Sequence, residues 1–242
     1  MGNLAFVSAF YITLSYAAAA IFIGGLLYKI HGYAVTPSPL KIPTTPQPTT
    51  AGGVFVKNAI NISTFSNLYK GNRWTWIGGY ALHVIFLLVL IRHLRYFLEP
   101  ILGVVVALQF FGMWAGILLP LPLIYLMVRR AAVDRAAYIS SFADYFVLIL
   151  ILLTGLSGIS LKILVHADIV AIKQFILGLM LFRPVDIPTH PAFLVHFTLV
   201  LILAVYFPFS KLMHAGGVFF SPTMEQVDNP REKKNVNSWA AD

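Results

Sequence analysis

Five apolar stretches, each long enough to cross about 30 Å of hydrocarbon, recur along this 242-residue chain. They lie near 4–28, 75–97, 101–128, 140–164 and 190–213. Inside lipid, every backbone N–H and C=O must find its partner within the segment or a closed barrel, and stretches of this length satisfy that only as helices. The sequence therefore predicts an all-α integral membrane protein, one domain over residues 1–242, with a tail over 214–242. Composition agrees: 59% of residues are hydrophobic, only 11% are charged, and the mean hydropathy is +0.81. A water-facing domain carries about a quarter charged residues. The first stretch is too long for a cleaved leader and lacks a basic flank, so it reads as a retained span.

The charges orient the spans. Lys29, Lys41, Lys57, Lys70 and Arg73 lie in or beside the first connection, which has no acidic residue. Arg129, Arg130 and Arg135 follow the third span, and Lys211, Arg231, Lys233 and Lys234 lie at or after the end of the fifth. The opposite face holds only Arg92, Arg95, Lys162, Lys173 and Arg183. The positive-inside rule then puts the N-terminus outside and the C-terminal tail in the cytoplasm of a prokaryotic cell. The net charge of +8 is accounted for by this topology, with no need of nucleic acid. Cysteine is absent, which excludes thiolate metal sites, iron–sulfur clusters and thioether-linked haem within this chain.

Ionisable groups inside lipid are costly and are candidates for function. His83 and His93 sit ten residues apart in the second span, and His196 and His214 sit eighteen apart in the segment read as the fifth. Two histidines on each of two helices make two axial pairs, which suits two b-type haems held between spans two and five. These spans run antiparallel, so the expected pairs are His93 with His196 on the outer side and His83 with His214 on the inner side. At a rise of 1.5 Å per residue, the separations along the two helices are about 15 Å and about 27 Å. That mismatch requires tilt or bending. Eighteen residues at about 100° each return to one face, so His196 and His214 are expected to point alike.

Two neutral imidazoles give six-coordinate iron with no open position, a centre that passes electrons without binding substrate. Arg92 and Arg95 flank His93, where they could meet a haem propionate or a quinone, or snorkel to lipid headgroups. Gly78, Gly79, Gly112 and Gly116 could admit a porphyrin closely or simply pack helices. His31, His166 and His190 lie at span ends or in loops and read as interfacial, as do Trp74, Trp76, Tyr96 and Tyr145. Asp144 suits a helix N-terminus. The run within 166–191 is too short to span. It reads as either an interfacial helix or a packed loop helix.

On His83, His93, His196, His214 and the phrase YFPFSKLMH at 206–214, the chain resembles the cytochrome b family of the respiratory nitrate reductase gamma subunit. The resemblance covers all five spans. IRHLRYFLEP at 91–100, ISSFADYF at 139–146, FPFSKLMHAGGVFFSPT at 207–223 and NVNSW at 235–239 resemble, more narrowly, the DsrM group of membrane cytochromes from Dsr complexes. That resemblance implies two haems b and exchange of electrons with menaquinone. It implies an iron–sulfur partner like the catalytic subunit of heterodisulfide reductase, on the cytoplasmic side. It also implies a multihaem cytochrome c, a ferredoxin-like subunit and a second quinone-interacting membrane subunit, in dissimilatory sulfur metabolism. The family analogy places quinone near the outer haem, by Arg92, Arg95 and Glu99; an inner site stays open. Partner contact is expected on the first connection and on 215–242, where HAGGVFFSPT could dock a subunit or cap a helix with Gly216 or Gly217. Such a subunit is not catalytic alone. The same conduit in a nitrate or heterodisulfide reductase complex is one alternative. A haem-free membrane anchor or transporter, with packing histidines, is another.

Overall fold

The computed structural model describes residues 5–36, 43 and 45–228. Lys41, Arg231, Lys233, Lys234 and the motif at 235–239 lie outside the described residues, as does the tail beyond residue 228.

Among the described residues the secondary structure is helical throughout. The elements are α1 (Phe6–Val35), α2 (Ala51–Thr64), α3 (Ser66–Gly71), α4 (Arg73–His93), α5 (Gly103–Ala107), α6 (Gln109–Leu118) and α7 (Pro120–Ala132). They continue with α8 (Asp134–Tyr138), α9 (Phe142–Ser160), α10 (Ile169–Met180), α11 (Pro191–Tyr206), α12 (His214–Gly217) and α13 (Pro222–Glu225). Five helical segments are long and apolar enough to cross a membrane: Phe6–Val35, Arg73–Tyr96, Gln109–Ala132, Phe142–Val165 and Pro191–Phe209.

The differences from the expected span ends have local causes. The third span is segmented, breaking at Leu108 and again at Leu119–Pro120. Pro120 lacks the N–H that would have bonded to the carbonyl four residues earlier, so the helix is interrupted there. The fourth span opens on Ser141, whose side chain and the Asp144 carboxylate form a reciprocal capping box; Ser141 N–H donates to Asp144 Oδ2 at 2.9 Å. It closes in a π-helical turn, Leu161–Val165, ended by His166 in the left-handed conformation. The fifth span opens with Pro191 at its first position and His190 accepting from the Ala192 N–H at 3.2 Å.

The end of the fifth span corrects the sequence reading. Regular helix stops at Tyr206, and Pro208 sits in a short 3₁₀ turn over Phe207–Phe209. Ser210 is extended before the chain turns into α12. His196 and His214 are therefore not on one continuous helix. The eighteen-residue phase argument and the 27 Å axial spacing do not hold.

Contacts divide the chain into two compact units. One comprises residues 1–24 and 77–210. Its core joins Ile12 and Ala18 of α1, Ile172 and Phe175 of α10, and Phe193, Phe197 and Leu201 of α11. Phe175 and Phe197 meet edge-to-face at 5.6 Å. Polar ties cross this core: Tyr11 Oη lies 2.9 Å from Thr198 Oγ1, and Tyr16 Oη donates to the Leu179 carbonyl at 3.0 Å. The 166–191 run is thus a packed loop helix, α10, with Phe175 fully buried. α9 is the central scaffold, lying against α6, α7 and most extensively α11.

The other unit comprises residues 25–76 and 211–242. Within its described part, α2 packs on α13, and Asn58 Nδ2 donates to the Met224 carbonyl at 2.8 Å. Phe55, Val56 and Ile60 of α2 stay exposed.

Candidate functional site

His93 is the last residue of α4. Its Nδ1 lies 2.7 Å from the Val89 carbonyl, one turn back. A carbonyl can only accept, so Nδ1 carries the hydrogen and the lone pair sits on Nε2. That is the tautomer a metal-ligating imidazole needs. His196 reaches the same state by another route. Its Nδ1 lies 2.9 Å from Ser157 Oγ on α9, and that hydroxyl donates its own hydrogen to the Thr154 carbonyl at 2.8 Å. Ser157 Oγ is therefore the acceptor and His196 Nδ1 the donor. His93 on α4 and His196 on α11 belong to the same compact unit. Both rings are half-buried.

A polar cluster surrounds the His93 end. Arg92 Nη1 donates to the Gln109 carbonyl at 2.9 Å and to Gln109 Oε1 at 3.2 Å, and Arg95 Nη1 reaches the same Oε1 at 3.5 Å. The Arg95 guanidinium lies 5.8 Å from the centre of the Tyr96 ring, and that ring is 6.0 Å from His93. Arg92 and Arg95 are thus tied to protein acceptors at the start of α6. Gln109 was not singled out from the sequence, although one amide in an otherwise apolar run was a signal. Glu99 pairs with Lys173 of α10.

His83 and His214 are described in separate units. Each carries its hydrogen on Nδ1: His83 donates to the Gly79 carbonyl and His214 to the Lys211 carbonyl, both at 2.7 Å. Both side chains are exposed. His190 caps α11 and His166 ends the π-helical turn, which are structural positions.

The glycines separate by environment. A Cβ on Gly112 would lie 2.7 Å from Arg92 Cβ and 3.0 Å from the Leu88 carbonyl oxygen, so Gly112 is a close helix contact with α4. A Cβ on Gly78 would meet the Tyr125 ring at 2.5 Å. Both positions are filled by protein. Gly116 has nothing within 4 Å of such a Cβ. A Cβ on Gly158, which the sequence did not flag, would lie 3.2 Å from His196 Cε1, so the imidazole packs close against this glycine. Gly217 has φ −63° inside a helical turn, and no described glycine has positive φ, so the glycine-cap reading of 214–217 does not hold.

Among the described residues no three or more His, Asp or Glu converge on one point. A bis-imidazole iron requires only two. The ring chemistry at His93 and His196, with Nδ1 engaged and Nε2 carrying the lone pair, fits b-type haem ligation.

The nitrate reductase gamma subunit family matches residues 55–225. The chain is 35% identical to an Hdr-like menaquinol oxidoreductase cytochrome b-like subunit of Archaeoglobus fulgidus, covering 95% of this chain and 83% of that protein. It is 30% identical to the protein of the same description from Archaeoglobus profundus, covering 93% of this chain and 81% of that one. No solved structure matches.

Proposed function

The chain belongs to the nitrate reductase gamma subunit family, and from that premise we propose that it is a dihaem b electron-transfer subunit exchanging electrons between menaquinol and a partner complex. The observation that carries this reading is the tautomer state of the four candidate histidines, each with Nδ1 hydrogen-bonded and its lone pair on Nε2. His93 and His196 would hold one haem. The second is assigned to His83 and His214 from sequence order and the same ring chemistry. Haem iron with two imidazoles supplies one-electron transfer without an open coordination position.

The protein's own groups orient and tune these ligands. The Val89 carbonyl and Ser157 hydroxyl hold the two imidazoles in the ligating tautomer. Arg92 and Arg95, braced on Gln109, supply positive charge beside His93, suited to a propionate or a quinone oxygen. The spans run with the N-terminus outside and the tail in the cytoplasm, as the distribution of Lys and Arg favours. The likeness to Hdr-like menaquinol oxidoreductase subunits of Archaeoglobus supports menaquinol as donor and an Hdr-like complex as the setting. An iron–sulfur partner then docks on the cytoplasmic face, where α2 exposes Phe55, Val56 and Ile60. The DsrM-type role in sulfur metabolism, with a multihaem cytochrome c, a ferredoxin-like subunit and a second quinone-interacting membrane subunit, is the finer form of the same proposal.

A reduced-minus-oxidised spectrum with pyridine haemochrome quantification, followed by menaquinol addition, tests it. Two haems b per chain, reduced by menaquinol, are expected. A folded, haem-free preparation overturns the reading.

A further inference from the structure

We infer that the Ser157–Gly158 pair on α9 is a positioning element that sets the tautomer and plane of the His196 imidazole. In doing so it tunes the electron affinity of whatever metal that ring ligates. The inference rests on the haem reading above, but its argument lies in contacts that reading does not use.

His93, His83 and His214 each donate to a backbone carbonyl of their own helical turn. His196 alone among the four uses a side chain from another helix, thirty-nine residues away in sequence. A hydroxyl can donate or accept, so by itself it would leave the tautomer open. The Thr154 carbonyl resolves it: it accepts from the Ser157 hydroxyl at 2.8 Å and is also a backbone hydrogen-bond partner of the His196 ring, and a carbonyl can only accept. The Ser157 oxygen can then only accept, and His196 Nδ1 must donate. The next residue controls orientation. A Cβ at Gly158 would stand 3.2 Å from His196 Cε1 and 3.6 Å from Nδ1, so the ring lies flush against glycine backbone. A methyl there would require the ring to give by a few tenths of an ångström. One residue fixes the proton and its neighbour fixes the plane.

Hydrogen bonding at Nδ1–H makes an imidazole a more basic ligand and favours the oxidised metal. Removing the acceptor makes the ligand less basic, so the midpoint potential of the His196 haem rises. For a one-electron couple each tenfold change in relative ligand affinity reads as about 59 mV. The experiment is redox potentiometry and low-spin EPR on the purified full chain carrying Ser157→Ala, Ser157→Thr or Gly158→Ala, with haem stoichiometry measured alongside. In Ser157→Ala we expect one haem to shift to higher potential, with an altered g tensor, and the other to be unchanged. Ser157→Thr keeps the hydroxyl and restores the wild-type value. In Gly158→Ala the g tensor of the same haem changes because the ring plane has moved.

Wild-type potentials and g values in both Ser157→Ala and Gly158→Ala, with two haems retained, overturn the inference and leave the haem reading intact. Loss of the haem in Ser157→Ala supports the inference if Ser157→Thr retains it, and overturns it if Ser157→Thr loses it too. Absence of haem from the wild-type protein overturns both.

Discussion

Gly112 and Gly116 are one helical turn apart on α6, and alanine at each should have opposite consequences. At Gly112 the added methyl would lie 2.7 Å from Arg92 Cβ, about 0.7 Å inside ordinary van der Waals separation, and 3.0 Å from the Leu88 carbonyl oxygen. Neither is the far end of a flexible side chain, so relief requires α6 and α4 to part. Overpacking of this kind costs about 1–3 kcal/mol. The strain is felt next to His93 and at the Arg92–Gln109 bonds of 2.9 and 3.2 Å, which lengthen as the helices separate. At Gly116 the same methyl meets nothing within 4 Å, and alanine is the better helix former by about 1 kcal/mol. The assay is thermal loss of the haem absorbance band in detergent, with stoichiometry measured before heating. Gly112→Ala should release haem at lower temperature, affecting the His93 centre first, and Gly116→Ala should match or exceed wild type. The reverse order would refute the packing assignment and return Gly116 to the role of a porphyrin-approach residue.

On the proposed dihaem reading, removing the assigned ligands should divide the haems. His93→Ala or His196→Ala should leave one haem b per chain, and His83→Ala or His214→Ala should leave the other, resolved by haem content and EPR. Equal loss of both from every variant would count against the pairing. Gln109→Leu removes the side-chain acceptor shared by Arg92 and Arg95 but leaves the backbone acceptor of Arg92. A cost of about 1–3 kcal/mol is expected in denaturation, with slower menaquinol reduction, and wild-type behaviour in both would show the cluster to be inert. Asp144→Ala deletes one half of the capping box on α9 and the contact with Arg130 at 3.8 Å. It should lower stability by about 1 kcal/mol while leaving the haem spectrum unchanged at low temperature.

The sequence by itself determined the helical class and the five spans, because length and continuous apolarity are local properties that lipid enforces residue by residue. It also marked four histidines as candidates, of which His83, His93 and His196 lie within the spans and His214 lies beyond the fifth. The bond from His93 to Val89 spans four residues and follows from helix geometry alone. Other features depended on tertiary structure. Where α11 ends was decided by how Pro208 and Ser210 were accommodated, and that separated His214 from the helix carrying His196. Gly112 and Gly158 look alike in sequence, yet one holds α6 against α4 and the other lies beneath an imidazole. Gln109 and Ser157 gained their roles from partners on other helices, seventeen and thirty-nine residues away. Composition and periodicity report which way a residue faces and how far an element runs. Which side chain it will meet there depends on how separate helices pack, and the sequence of neither helix states that alone.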